Sequence, residues 1–262
     1  MMQEKLMTSS HPVIASYLPL VDFLGKLIGP HCEVVLHDLT TPERSVVGIA
    51  NGYISGRNVG APLTDFALRL IKEKAHSSRD FLHEYEGALK NGRKVRSSTF
   101  FIKDNGALVG LLCFNVDMSR LQGLHKELDA VLSTYFNIGG GAAPAGTDAV
   151  QYSNGSGNGN GNGYGYVYAQ ALDTAAAPMP VEEHETFSES IEELMSTSIA
   201  KAVEPFNLPP DRLSPTEREE VVLSLYKRGF FQLRGAVEHV AEAFRLSEAT
   251  IYRYLKSVQK KG

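Results

Sequence analysis

Apolar and polar positions along this chain follow two different periods, and the changes of period mark its elements. From Pro12 the run Val13-Ile14-Ala15-Ser16-Tyr17-Leu18-Pro19-Leu20-Val21-Asp22-Phe23-Leu24-Gly25-Lys26-Leu27-Ile28 is apolar at helical spacing, with Pro19 expected to kink or restart the helix and Gly29-Pro30 to end it. Residues 33–39 and 45–50 are short, β-branched runs separated by Thr40-Thr41-Pro42-Glu43-Arg44, which predicts a hairpin. The polar, glycine-rich stretch 51–62 leads into a helix begun near Leu63 or Thr64, with Phe66, Ala67, Leu70 and Ile71 on its buried face. A third strand is expected around 81–85. Residues 96–102 and 107–116 flank Lys103-Asp104-Asn105-Gly106, a strong hairpin signal because Asn-Gly accepts the positive φ angles of a tight turn. Leu121, Leu124, Leu128, Val131, Leu132 and Tyr135 then mark an amphipathic helix.

The C-terminal part reads as three short helices. Ser214-Pro215-Thr216-Glu217 carries a cap, a proline suited to the first helical position and a glutamate three after the cap, so a helix is expected from Pro215 to Arg228, stopped by Gly229. Val221, Val222, Leu225 and Tyr226 form its stripe. In the second helix Val237, Val240, Ala241 and Phe244 face inward, with small Ala241 where two helices must approach closely and Leu246 covering the turn. Ser247 caps a third helix whose inward positions are Ile251, Tyr254 and Leu255. The last two helices form a helix-turn-helix. Arg245 stands where such turns commonly place glycine, a departure that costs on the order of 1 kcal/mol.

This arrangement exposes Ser247, Glu248, Ala249, Thr250, Tyr252, Arg253 and Lys256, which are the expected DNA-binding residues. Arg253 suits a guanine edge and Glu248 a cytosine amino group, while Ser247, Thr250, Lys256, Lys260 and Lys261 suit phosphates. Double-stranded DNA is therefore the expected partner. Two other readings use the same residues: a three-helix bundle whose charges only solvate it, and a protein-interaction adaptor that binds no DNA.

The stretch 229–236, Gly-Phe-Phe-Gln-Leu-Arg-Gly-Ala, followed by Ala249-Thr250-Ile251-Tyr252-Arg253-Tyr254-Leu255, resembles the C-terminal helix-turn-helix of the YheO-like (DauR-type) transcriptional regulators. The resemblance extends to the first half through His37-Asp38-Leu39, Asn51-Gly52 with Ile54-Ser55-Gly56-Arg57, Ser97-Ser98-Thr99 and residues 112–117, with Tyr53 where histidine is expected in many relatives. It implies an N-terminal PAS-like domain. The strand pattern agrees: two strands, a helical connection and further antiparallel strands are the layout of a PAS-like sheet. The expected fold class is α+β, a PAS-like antiparallel sheet with helices plus an all-α helix-turn-helix domain.

Length and composition fit this division. The chain has 262 residues, 43% of them hydrophobic, enough for one good core and a smaller second one. A net charge of −4 excludes an indiscriminately basic nucleic-acid coat without excluding a local basic face. Cys32 and Cys113 are too few and too far apart for a metal or disulfide framework, and neither a membrane-length apolar run nor a secretory leader is present, so a cytoplasmic protein is expected. The Gly/Asn repeat at 153–163 reads as flexible coil. The expected organisation is a sensor over 11–138, a linker over 139–180, a helix within 181–212 that either docks or dimerises or packs on its own small domain, and a reader over 213–262.

The polar residues His37, Asp38, Asn51, Ser55, Arg57, Ser98, Thr99, Asn115 and Asp117 form the expected ligand site, on the inner face or rim of the sheet. Arg57 suits a carboxylate and Asp38 or Asp117 an ammonium or guanidinium, so the expected effector is a small zwitterion of the amino-acid class. Taken singly, each residue also reads as a strand cap or turn former. An enzyme would use His37 as base and Ser55 or Ser98 as nucleophile, but no nucleophile elbow, phosphate loop or metal-binding histidine pair accompanies them, and no enzyme is expected. Haem or flavin would call on His31, His37 or Cys113; no cofactor and no metal is expected. Paired readers imply a homo-oligomer, a homodimer in the simplest case.

Overall fold

The computed structural model describes residues 11–135 and 185–260; the linker expected over 139–180 and Lys261 lie outside the described residues. The N-terminal part is a curled sheet with helices. Helix α1 (Pro12–Ile28) runs through Pro19 as one helix instead of restarting there. Ile14 and Val21, two turns apart on either side of the proline, are both buried and hold it to the sheet. Gly25 lets α1 lie close, since a Cβ there would stand 2.4 Å from that of Ala50.

The expected hairpin forms as β1 (Cys32–Asp38) and β2 (Val46–Ala50), and the loop leads to α2 (Asp65–Lys72), where Thr64 Oγ1 accepts the Ala67 amide as a cap. Strands β3 (Phe81–Ala88), β4 (Lys94–Asp104) and β5 (Ala107–Asp117) follow. Asn105 and Gly106 turn β4 into β5 with φ of 47° and 82°, as the Asn-Gly pair requires. Helix α3 (Ser119–Tyr135) belongs almost entirely to a separate unit, and along it Leu124, Leu128 and Val131 are exposed.

Strand β6 (Glu185–Thr186) completes a sheet of order β2-β1-β5-β4-β3-β6 and pairs parallel to β3, whereas every other pairing is antiparallel. No local pattern predicts this strand. Phe187 follows it into a small cluster with Ile54, Leu89 and Val95. Helix α4 (Ile191–Val203), capped by Ser190, buries Leu194, Met195, Ile199 and Val203 and packs on α5 (Pro215–Lys227) and α6 (Ala236–Phe244), which are joined by α7 (Glu248–Val258).

The register sets which side chains share a face. One set of cross-strand rows runs Cys32–Val116–Arg96, Val34–Phe114–Ser98 and Leu36–Leu112–Phe100. Cys32, Val34, Leu36 and Leu112 of this set pack against α1. The alternate rows, Glu33–Asn115–Ser97, Val35–Cys113–Thr99 and His37–Leu111–Phe101, point to the opposite, inner face.

Candidate functional site

The reader half is held by local devices that its sequence announces. The Glu217 amide donates to Ser214 Oγ at 3.3 Å and the Ser214 amide donates to Glu217 Oε2 at 2.7 Å, a closed capping box on α5. Val221, Val222 and Leu225 of α5, Val240, Ala241 and Phe244 of α6, and Ile251, Leu255 and Val258 of α7 fill the core. Arg245 adopts the left-handed conformation that the turn between α6 and α7 demands, with φ of 53°. Its Nε lies 3.5 Å from Asp211, an exposed pair worth little against the strain.

Ser247 occupies the cap position of α7, but its hydroxyl meets Thr250 Oγ1 at 3.1 Å and caps no amide. Ser247, Glu248, Ala249, Tyr252, Arg253 and Lys256 are all exposed, with Thr250 half-buried among them. A helix presenting these side chains can enter a major groove with donors and acceptors toward base edges.

The inner face of the sensor sheet is a buried polar network. Glu33, fully buried, accepts the Ser55 hydroxyl at 2.5 Å and the Ser55 amide at 3.3 Å on one oxygen, and Asn115 Nδ2 at 2.8 Å on the other. Asn115 in turn accepts Ser97 Oγ at 2.8 Å. Burial pushes the Glu33 pKa up, against the lowering effect of Ser55, Arg57 and Asn115. Arg57, only 2% exposed, donates through Nη2 to the Pro62 carbonyl, while its Nε has no hydrogen-bond partner among the described residues. Burial lowers its pKa, and the nearby carboxylates of Glu33 and Glu185 act to keep its charge.

Glu185 enters this network from β6. Thr64 Oγ1 donates to its Oε1 at 2.8 Å, whereas Oε2 has no partner in hydrogen-bonding geometry, and burial raises its pKa to about 7. Thr99 Oγ1 lies 2.8 Å from the Tyr85 hydroxyl and 3.3 Å from Cys113 Sγ. Burial holds the Tyr85 pKa well above its usual value and pushes Cys113 to about 12, so both stay protonated. His37 meets Ser45 Oγ at 2.8 Å, and burial keeps its imidazole neutral. A hollow of about 360 Å³ along residues 51–58 has Arg57, Asn51, Tyr53 and Asn58 among its lining residues.

Of the nine expected ligand residues, the structure gathers Ser55, Arg57, Thr99 and Asn115 here, with His37 at one end of the same face. Of the others, Asn51 reaches only the hollow and the rest lie elsewhere. Ser98 is on the α1 side, because it adjoins Thr99 on one strand and neighbours in a strand point to opposite faces; its hydroxyl accepts the Glu84 amide at 3.3 Å. Asp38 accepts the Thr40 amide and hydroxyl at 2.9 and 2.7 Å in a turn at the far end of β1. Asn51, at φ of 58°, donates to the carbonyls of Gly29 and Cys32. Asp117 accepts Arg93 Nη1 and the Ser119 amide, which outweigh the raising effect of burial and keep its pKa low. Glu33, Ser97, Tyr85 and Glu185 were not expected. Parity along a strand was the only local sign for any of them, Glu33 with His37 on β1 and Ser97 with Thr99 on β4.

Among the described residues no group of three or more His, Cys, Asp or Glu side chains is placed to hold a metal ion, and no helix is long and apolar enough to cross a membrane. Comparison with known proteins accounts for both halves. Residues 8–133 match the YheO-like PAS domain, and residues 194–256 match a helix-turn-helix domain. The chain is 28% identical over 249 residues to a Haemophilus influenzae protein, covering 95% of this chain and 92% of that one. It is 27% identical over 245 residues to YheO of Escherichia coli K12, covering 93% and 84%. With the transcriptional regulator DauR of Pseudomonas aeruginosa it shares 26% identity over 255 residues, 97% of this chain and 98% of the relative. A PAS-like sheet and an exposed recognition helix, each matched by its own domain model and both spanned by relatives similar along nearly the whole chain, make this chain a DNA-binding transcriptional regulator with a YheO-like PAS domain and a helix-turn-helix domain.

Proposed function

We propose that this regulator senses a small zwitterion of the amino-acid class at the inner face of its sensor sheet, and that a cytoplasmic homodimer reads two DNA half-sites about one helical turn apart. The observation that carries the effector reading is Arg57: a buried guanidinium with an unpartnered Nε, near two buried acids and lining a hollow that opens at the loop 51–58. A carboxylate would take the free donor, and the unpartnered Glu185 oxygen would take an ammonium. In this reading Glu185 replaces Asp38 and Asp117 as the acidic partner, because the latter are engaged at opposite ends of β1 and β5.

Effector binding would shift the population of DNA-competent dimers by no more than its differential affinity for the two states. The test of the effector class is a thermal-shift panel of amino-acid enantiomers on the purified protein, where a rise in melting temperature is expected with at least one and its loss with Arg57→Met. A flat response across the panel ends the zwitterion reading. For the reader, Arg253→Ala is expected to cost about 1–3 kcal/mol of discrimination between the operator and a mixed-sequence duplex, measured by titration of labelled DNA. Unchanged discrimination would remove Arg253 from base contact.

A further inference from the structure

The sensor half meets the reader at the junction between α5 and α6. Gly229 ends α5 at φ of 79°, and a Cβ there would stand 2.8 Å from the Leu68 carbonyl of α2, so this close approach requires glycine. The Arg234 amide donates to Glu43 Oε1 at 2.8 Å, and Glu43 lies in the turn between β1 and β2. Lys72, the last residue of α2, holds its ammonium 4.0 Å from the ring centroid of Tyr226. The stretch 229–236, which stands out in the sequence without a DNA-reading role, is thus the joint with the sensor.

This joint forms one side of a groove of about 790 Å³, and α7 forms another. Lys72, Tyr226, Gly235 and Glu238 line it together with Tyr252 and Lys256 of α7. Neither Lys72 nor Lys256 has a carboxylate partner among the described residues. We propose that this groove receives a strand of the DNA backbone, so that Lys72 of the sensor half contacts a phosphate while α7 reads base edges.

Two observations favour DNA as the occupant. The groove is continuous with the reading face, because Tyr252 and Lys256 belong to the same turns of α7 that carry Arg253. A helix seated in a major groove has a phosphate strand along its flank, where cations from either wall meet it. The charge is complementary at the lysines and opposed at Glu238 and Glu248, which also line the groove, so the contact is local and not a general polyanion surface. The inference rests on the DNA-binding reading and adds the sensor to the interface. It also shortens the route of control. Helix α2 is capped by Thr64, which is hydrogen-bonded to Glu185 in the inner network, and ends at Lys72, so a shift of α2 would change DNA affinity directly.

The test is binding of the full chain to a mixed-sequence duplex and to its operator across a salt series, for wild type, Lys72→Gln, Lys72→Arg, Lys256→Gln, Glu238→Gln and the remote control Lys26→Gln. One phosphate contact contributes about 0.9 to the slope of log K against log salt, which near 0.1 M salt is about eightfold in affinity. Lys72→Gln is expected to show both losses on both duplexes, Lys72→Arg to restore them, Glu238→Gln to strengthen mixed-sequence binding, and Lys26→Gln to change nothing. If Lys256→Gln flattens the slope and Lys72→Gln does not, the inference is overturned and the DNA reading stands. A Lys72→Gln protein that binds less tightly with its slope intact and melts earlier also overturns it, because the lysine then only holds the Tyr226 contact. Absence of salt-sensitive binding by wild type overturns both.

Discussion

The two faces of the sensor sheet are made by the same strands one residue out of step, and they are closed by opposite chemistry. On the α1 side Val34, Leu36 and Leu112 meet Ile14 and Val21, an apolar contact whose strength follows the area removed from water. On the inner side Glu33, Arg57, Asn115 and Glu185 are buried as deeply, yet they are held by directional bonds and keep two unpartnered atoms. An apolar face tolerates small shifts of its partners. A buried polar face does not, because each lost bond leaves a donor or acceptor away from water. The difference teaches where a signal can be received: one face is suited to holding the fold, the other to responding to a charged visitor or to a proton.

The comparison breaks most readily at Glu33. Glu33→Ala strands the Ser55 and Asn115 donors and is expected to cost about 4 kcal/mol, read from the midpoint of urea unfolding, with Glu33→Gln recovering part of it. A loss below about 1 kcal/mol, typical of a surface site, would mean the inner network is not structural. Next in size is Ile14→Ala, expected to cost about 3 kcal/mol through cavity formation and to do so equally at every pH. If the cost of Ile14→Ala varied with pH, the two faces would not be separable.

The smallest expected effect sharpens the contrast through protons. Glu185 titrates near 7 in the fold against 4.5 for the free carboxyl, so its contribution to stability is fullest below the lower value and is lost as pH rises through the higher. His37 acts in the other direction, since its depressed pKa makes acid unfavourable, and comparison with a variant isolates Glu185. Glu185→Gln should melt above wild type at about pH 8 and lose that advantage at about pH 5. An equal difference at both values would show that the carboxyl does not change charge in this interval.

Legibility followed the range of the interactions. The capping box of Ser214 and Glu217, the Asn105-Gly106 turn and the stripes of α5 to α7 are decided within a few residues, and the sequence contains all their parties. Arg57 was legible as a cation in the polar loop 51–62, and Asn115 as a polar residue within an apolar strand. Ser98 was misplaced beside Thr99, because the composition of a strand end does not state its parity. Glu33 read as the start of a strand, and only its row with Asn115 and Ser97 gives it a purpose. Glu185 and Phe187 were beyond reach, since β6 joins an edge strand about a hundred residues earlier in the chain.

What the sequence by itself determined is therefore the elements other than β6, the helix-turn-helix with its exposed reading face, and the family resemblance. These rest on local backbone preferences and on apolar periodicity, which neighbouring residues settle among themselves. The tertiary structure alone decided that the inner face takes its second acid from β6, that α2 spans from that face to the reader, and that Gly229 and Lys72 meet across the joint. The reason is physical: strand register and helix docking are fixed by the burial of many side chains at once, and no single stretch of chain carries that sum.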